Sequence, residues 1–287
     1  MNSKGRPNKT DLRESVTVFV ATVGYPTFEK CLEYLHAQDS EFQLKIVDHV
    51  APLSAALQYM MDECTTPYYV QVDEDMLLYP QAIRTLHERI SAMNAEVAQY
   101  VCPLYDVHLE QVISGVKISR REIVSKYPFR DVCGSEWDQI RRFRADGYLD
   151  VRVPLEGATR ESPDTLGVHG THWTPQAVYL RYTVLELKRR KGNKTHQWLP
   201  EAAVRLLDRF LENGSEVDFY ALMGILAGSL GKSHTLGREK DYRTYDRTPG
   251  FECLSGFVEE VQRAWQEGER VRPEEYEIDV LGDEPLG

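Results

Sequence analysis

Short apolar runs alternate with helix-like periodicity through the first part of the chain. Runs at 15–23, 42–47 and 68–72 are rich in β-branched and aromatic residues, which predicts strands buried on both faces. Between these runs, apolar residues recur at helical spacing at 28–35 and 53–64. An alternation of strand and helix predicts right-handed crossovers and a parallel sheet with helices on both faces.

Downstream the pattern continues with both kinds of element and then becomes helical. Helices are predicted at 81–94, 120–127 and 137–146, and strands at 97–104, 112–118 and 148–153. A loop rich in Gly, Thr, Ser and Pro spans 155–167. Further helices are predicted at 174–190, 200–213, 217–230 and 254–265. These patterns divide the chain into a flexible leader at 1–14, an α/β domain at 15–190, a helical region at 191–266 and an acidic, partly disordered tail at 267–287.

Composition narrows the class of protein. The 287 residues carry a net charge of −11, which argues against a nucleic-acid partner because phosphate-backbone binding needs Lys and Arg. The five cysteines are scattered without a Cys-x-x-Cys pair, as expected of reduced thiols in a cytoplasmic protein. The polar start is not a signal peptide, and no stretch approaches the ~18 apolar residues of a membrane span. The sequence leaves open whether the protein forms a homo-oligomer.

Three consecutive acids, Asp73-Glu74-Asp75, follow the third apolar run. Buried carboxylates without partners are costly, so we expect them where the strand leaves its sheet. Ligands of open α/β sheets bind at that edge. Two carboxylates suit Mg²⁺ or Mn²⁺ bridging a substrate phosphate, whereas a solvated acidic loop is the plain alternative. Side-chain alternation directs Glu74 away from Asp73 and Asp75.

The order strand, helix, strand, helix, strand and Asp-Glu-Asp resembles the GT-A fold of inverting nucleotide-sugar glycosyltransferases of the family-two type, whose corresponding acids form a DxD-like motif. Two later segments match the layout of that family, namely Arg120-Arg121-Glu122 and Gly134-Ser135-Glu136-Trp137-Asp138, the latter followed by Arg142 and Gly147-Tyr148. The resemblance covers about residues 15–190. It implies a Rossmann-like, mostly parallel sheet flanked by helices, with the helical region as a C-terminal appendage.

The resemblance also implies roles for individual residues. Glu136 would be the catalytic base. The alternative interpretation of Glu136 is an exposed acid in the first turn of a helix, stabilised by the helix dipole. The remaining implied residues are Thr22, Val23, Gly24, Asp48 and Asp73 for the donor nucleotide, Trp137 and Asp138 for the acceptor, and Asp73, Asp75 and His169 for the metal. His172 is the alternative to His169. The family places a longer Asp-Gly-Ser loop after the residue corresponding to Asp48, so the nucleotide base stays open.

The activity implied by the resemblance is Mn²⁺- or Mg²⁺-dependent transfer of a sugar from a UDP- or GDP-sugar to an acceptor hydroxyl. The acceptor could be a glycan, a lipid, a protein or a small molecule. Two alternatives remain. Ser135 stands where the family commonly has Glu, which gives weight to a GT-A-like protein that binds a nucleotide sugar or a partner without turnover. A sugar-phosphate nucleotidyltransferase would need a Gly-rich phosphate loop after the first strand, which residues 24–27 do not provide.

Overall fold

The computed structural model describes residues 9–132, 134–170, 174–190, 197–230 and 263. The predicted helix at 254–265, apart from residue 263, the tail at 267–287 and His172 lie outside the described residues. The strands are β1 Thr10–Asp11, β2 Val16–Thr22, β3 Ser40–Glu41, β4 Gln43–Asp48, β5 Tyr68–Asp73, β6 Leu77–Leu78, β7 Val97–Asp106, β8 Gln111–Arg120, β9 Leu149–Arg152 and β10 Gly167–His169. The helices are α1 Phe28–His36, α2 Leu53–Glu63, α3 Ala82–Ser91, α4 Arg121–Val124, α5 Ser135–Ala145, α6 Pro175–Arg190, α7 Leu199–Asn213 and α8 Glu216–Ser229.

The main sheet has eight strands in the order β4-β2-β5-β8-β7-β10-β6, with β9 paired to β7. Its first three strands are parallel, as predicted, and so are the pairs that β7 forms with β9 and β10. β8 runs antiparallel to both of its neighbours because a short turn joins it to β7 as a hairpin. The predicted α/β fold is confirmed, with a sheet that is mixed in strand direction.

Helices cover both faces of this sheet. Val18 and Val20 of β2 belong to one apolar cluster with side chains of α1 and α3. Phe19, which lies between them, belongs to a second cluster with side chains of α2 and α5. A strand that buries alternate residues on opposite faces reads as a continuous apolar run, which explains the sequence pattern.

The predicted leader is too long. Thr10–Asp11 pair in parallel with Ser40–Glu41, and Leu12 is only 5 % exposed in the first apolar cluster. The sequence pattern did not predict this short strand pair, because the segment is polar and charged and the pairing uses backbone groups. Residues 10–14 therefore belong to the folded part of the chain.

The predicted boundary at residue 190 separates helices that pack together. Helix α6 lies against α8, and their close approach depends on Gly224, where a Cβ atom would stand 2.4 Å from the carbonyl oxygen of Tyr179. Leu109, from the turn between β7 and β8, joins the apolar cluster of α6, α7 and α8. The helical region thus begins with α6 and packs onto the sheet domain. Within the described part of the chain, no helix has the length and apolar character required to cross a membrane.

Candidate active site

Three strands end beside one cavity of about 330 Å³, the first cavity. Thr22 ends β2, Asp73 ends β5 and His169 ends β10, and all three residues line it. The parallel register aligns Ala21 with Asp73, so the first loop and the acidic segment leave the sheet side by side. The predicted position of the acids, at the carboxyl edge of the sheet, is correct.

Glu74 organises the loop that follows β2. Its carboxylate accepts hydrogen bonds from Thr22 Oγ1 at 2.6 Å, from the backbone nitrogen of Val23 at 2.8 Å and from that of Tyr25 at 2.9 Å. The side chain is 5 % exposed. Alternation along the strand predicts the direction of Glu74, but it does not predict these partners. Glu74 fixes the loop wall of the first cavity.

His169 lies between two carboxylates. Its Nε2 is 3.5 Å from Asp75 Oδ2, and its Nδ1 donates to Asp106 Oδ2 at 3.0 Å. Burial opposes a charge on the imidazole, but Asp75 and Asp106 outweigh it and raise the pKa of His169. A carboxylate bonded to the far nitrogen fixes the tautomer and the ring orientation of a histidine. The geometry therefore directs Nε2 toward Asp75.

Asp106 is itself held by several donors. Arg181 Nη2 donates to Oδ2 at 2.8 Å, and the backbone nitrogens of His108 and Leu109 donate to Oδ1 at 3.1 and 2.8 Å. Burial would raise the pKa of Asp106, but Arg181 and His169 overcome it and hold the pKa well below its usual range. Asp106 is thus an ionised, buried carboxylate, and the sequence pattern does not single it out.

A divalent metal fits this arrangement as a two-residue site. Among residues 9–132, 134–170, 174–190 and 197–230, no three His, Cys, Asp or Glu side chains are grouped closely enough to hold an ion together. Asp75 and His169 do converge, and one or two protein ligands completed by substrate phosphates are usual for Mg²⁺. A carboxylate with an imidazole also suits Mn²⁺. Asp73 lines the cavity but accepts a weak hydrogen bond from Gln71 Nε2 at 3.4 Å.

Glu136 stands across the site in the first turn of α5, after Gly134 with a φ of +81°. Together with Asp73 and His169 it lines a third cavity of about 180 Å³. Glu136 forms an ion pair with Lys117 of β8. Burial lowers the pKa of Lys117 to about 8, although the charge of Asp73 opposes that shift. The structure thus brings Glu136 to the same space as two of the predicted ligands.

The other predicted residues are distributed differently. Thr22 and Val23 line the first cavity, whereas Gly24 lies in the adjoining turn with a φ of +85°. Asp48 ends β4 with its side chain 67 % exposed and accepts a hydrogen bond from His49 Nδ1 at 2.5 Å. It lines neither the first nor the third cavity. Its role as a nucleoside contact stays a prediction.

The two residues predicted to bind the acceptor lie in different surroundings. Trp137 lines a second, larger cavity of about 590 Å³ that also reaches Glu136. Asp138 instead forms an ion pair with Arg142, whose Nε is 2.9 Å from Asp138 Oδ2, and it does not line that cavity. A carboxylate four residues before an arginine forms such a pair along one helix face. Asp138 is therefore placed to stabilise α5 and not to line the cavity.

Helix α6 supplies two cations that are not among the predicted site residues. Arg181 and Lys188 line both the first and the second cavity. Lys188 belongs to a basic run at the end of the helix, which is typical of a solvated last turn. Helical spacing places Arg181 and Lys188 on the same face, but only the packing of α6 across the strand ends reveals their position.

The sequence matches no protein-family model, and a search of curated proteins finds no match. Several solved structures are similar at low identity. A mannosyltransferase from Pyrobaculum calidifontis, solved with GDP-Man and Mn²⁺, is 16 % identical over 76 % of this chain and 86 % of its own, with a TM-score of 0.48. Glucosyl-3-phosphoglycerate synthase from Mycobacterium tuberculosis, solved with Mn²⁺, UDP and phosphoglyceric acid, is 13 % identical over 62 % and 79 %, with a TM-score of 0.44.

A cytidylyltransferase for 2-C-methyl-D-erythritol 4-phosphate from Thermus thermophilus is also similar. It is 10 % identical over 52 % of this chain and 94 % of its own, with a TM-score of 0.35. Glycosyltransferases and a cytidylyltransferase are thus both among the similar solved structures. The activity has to be inferred from the residues of this chain.

Proposed function

We propose that this protein is a metal-dependent, inverting glycosyltransferase that moves a sugar from a UDP- or GDP-sugar to an acceptor hydroxyl, with Glu136 as the general base. One observation carries the proposal. Asp73 and His169 line both the first cavity and the third cavity, and Glu136 lines the third. A donor in the first cavity would therefore present its anomeric carbon toward Glu136.

The donor side consists of the first loop, the acidic strand end and α6. Thr22 and Val23 form one wall, held in place by Glu74. Asp75 and His169 would hold the metal, which when bound supplies Lewis-acid stabilisation of the leaving diphosphate. The cations of α6 that line the same cavity would add positive charge near the departing phosphates.

The acceptor side is served by Glu136. Its carboxylate would take the proton of the acceptor hydroxyl as the oxygen bonds to the anomeric carbon. The bond from that carbon to the diphosphate breaks in the same displacement, so the anomeric configuration inverts. Lys117 forms an ion pair with Glu136 and would place a positive charge beside the base.

The experiment is a screen of UDP- and GDP-sugars with Mn²⁺ and a mixture of acceptors, read as released nucleoside diphosphate and as the anomeric configuration of the product by NMR. We expect release with one donor class, an inverted product, and loss of metal-dependent donor binding in Asp75→Asn. Asp62→Asn, an exposed carboxylate outside the site, is the matched control.

Other outcomes distinguish the alternatives. Metal-dependent donor binding without release across the acceptors would favour the binding protein. Release of pyrophosphate from a nucleoside triphosphate and a sugar phosphate would favour the nucleotidyltransferase. Retention of the anomeric configuration in the product would exclude a single displacement.

A further inference from the structure

Basic side chains are concentrated at the second cavity of this acidic protein. Among the described residues, its lining includes four basic side chains and one carboxylate, Glu136. The basic residues are Lys117, Arg152, Arg181 and Lys188. Three of them are ion-paired, Lys117 with Glu136, Arg152 with Asp150 and Arg181 with Asp106. The chain as a whole carries a net charge of −11, so this concentration of basic side chains is local. Local positive potential in a cleft attracts anionic ligands.

Arg152 distinguishes the lining of the second cavity from that of the first. Arg181 and Lys188 line both cavities, whereas Arg152 lines the second cavity and not the first. An anion bound through Arg152 would therefore lie in the second cavity and not in the first. The leaving diphosphate and a second anionic group can thus be bound by different residues.

Arg152 is held in a fixed orientation at the cavity wall. Its Nε donates to Asp150 Oδ2 at 2.7 Å and its Nη1 donates to Ser114 Oγ at 2.8 Å. The guanidinium also lies over the ring of Trp137, 4.7 Å from its centroid. The side chain remains 26 % exposed. A planar, preorganised guanidinium suits carboxylate and phosphate groups and loses little freedom on binding them.

We propose that the second cavity binds an acceptor that carries a phosphate or carboxylate group, held by Arg152, while a hydroxyl of the same molecule reaches Glu136. Trp137 forms the adjoining apolar wall and covers the acceptor's carbon skeleton. This inference rests on the proposed function, because it treats Glu136 as the base of the transfer.

The first test measures binding without turnover. Inorganic phosphate, glycerol 3-phosphate, glycerate and glycerol are titrated into the full chain by calorimetry, with saturating Mn²⁺ and nucleoside diphosphate. We expect the anionic probes to bind and glycerol not to bind, and the comparison of glycerol 3-phosphate with glycerate identifies the preferred anion. Arg152→Gln should weaken binding about tenfold or more, because a charge-assisted hydrogen bond contributes about 1.5–3 kcal/mol.

Arg144→Gln is the matched control. Arg144 Nη2 lies 3.1 Å from the same Asp150 Oδ2, but Arg144 does not line the second cavity. Anion binding should stay within about twofold of the wild-type value in this variant, since it loses only a partner of Asp150. If Arg152→Gln does not fold, Arg152→Lys replaces it, and we expect weaker anion binding because the lysine lacks the planar fork.

Three results would overturn the inference: no anion binding, equal binding by the wild type and the Arg152 variant, or competition between the anion and the nucleoside diphosphate for one site. The second test compares transfer to glycerol and to glycerol 3-phosphate. Equal KM values for both acceptors would refute the anionic subsite while leaving the glycosyltransferase proposal intact. Arg152-dependent anion binding without transfer from any donor would instead contradict the proposed function.

Discussion

Glu74→Gln is expected to destabilise the protein and to weaken donor binding, although the substitution is nearly isosteric. Glu74 is a buried carboxylate whose two oxygens accept three hydrogen bonds from the loop after β2. That loop lines the first cavity. The perturbation therefore acts on the loop wall without altering Asp73, Asp75 or His169.

The expected loss of stability follows from the hydrogen-bond geometry of Glu74. Oε1 faces the backbone nitrogen of Val23 at 2.8 Å, and Oε2 faces that of Tyr25 at 2.9 Å. Whichever way a glutamine amide is turned, its NH₂ group would meet one of these N–H donors. The variant loses at least one charge-assisted hydrogen bond and leaves one donor unsatisfied. At about 1.5–3 kcal/mol for such a bond, we expect the free energy of unfolding to fall by about 3 kcal/mol.

The assay is urea unfolding followed by fluorescence, combined with calorimetric titration of UDP and GDP in the presence of Mn²⁺. Glu14→Gln, an exposed acid just before β2, is the matched control and should unfold like the wild type. If Glu74→Gln shows the same unfolding midpoint and the same nucleotide affinity as the wild type, the assignment of Glu74 as the support of this loop is refuted.

Two further predictions concern positions away from the acidic strand end. Asp106→Asn should weaken Mn²⁺ binding in the presence of nucleoside diphosphate by about 10- to 100-fold, because Asp106 orients His169. EPR of free Mn²⁺ measures the affinity, and an unchanged affinity would contradict the orienting role of Asp106. Gly224→Ala should lower the free energy of unfolding by about 1–3 kcal/mol, since its Cβ would stand 2.4 Å from the Tyr179 carbonyl oxygen and force α6 and α8 apart. Leu226→Ala, on the exposed side of α8, is the control, and equal stability of Gly224→Ala and the wild type would refute the close packing.

The strand ends were predictable because their signal is local. The apolar run of β5 stops at Asp73, and burial forbids three acids inside the sheet. His169 was predicted only through the resemblance, and it ends β10. The elements themselves follow from periods of two and of 3.6 residues, which neighbouring residues along the chain determine.

The ion pair between Lys117 and Glu136 was not predictable, because it depends on strand direction. β8 runs antiparallel beside β5 and pairs Lys117 with Gln71, which places the lysine among the strand-end acids. The link between His169 and Asp106 joins residues 63 positions apart on neighbouring strands. Sequence periodicity carries no information about which strands become neighbours.

The helical region also shows that sequence periodicity does not predict which elements pack together. Its pattern predicted α6, α7 and α8 correctly, but it did not show that α6 would cross the strand ends and supply Arg181 and Lys188 to two cavities. A basic helix face is usually solvated. Packing against α8, through Gly224 and Gly228, determines where that face points.

The measurement that tests the central claim most directly is sugar transfer by Glu136→Gln under conditions in which the wild type releases nucleoside diphosphate. We predict a fall in kcat of at least about 100-fold, because the substitution removes the general base, while Mn²⁺-dependent donor affinity stays within about twofold. Glu122→Gln, an exposed glutamate in the first turn of α4, should transfer at the wild-type rate. Transfer by Glu136→Gln at the wild-type rate would contradict the account.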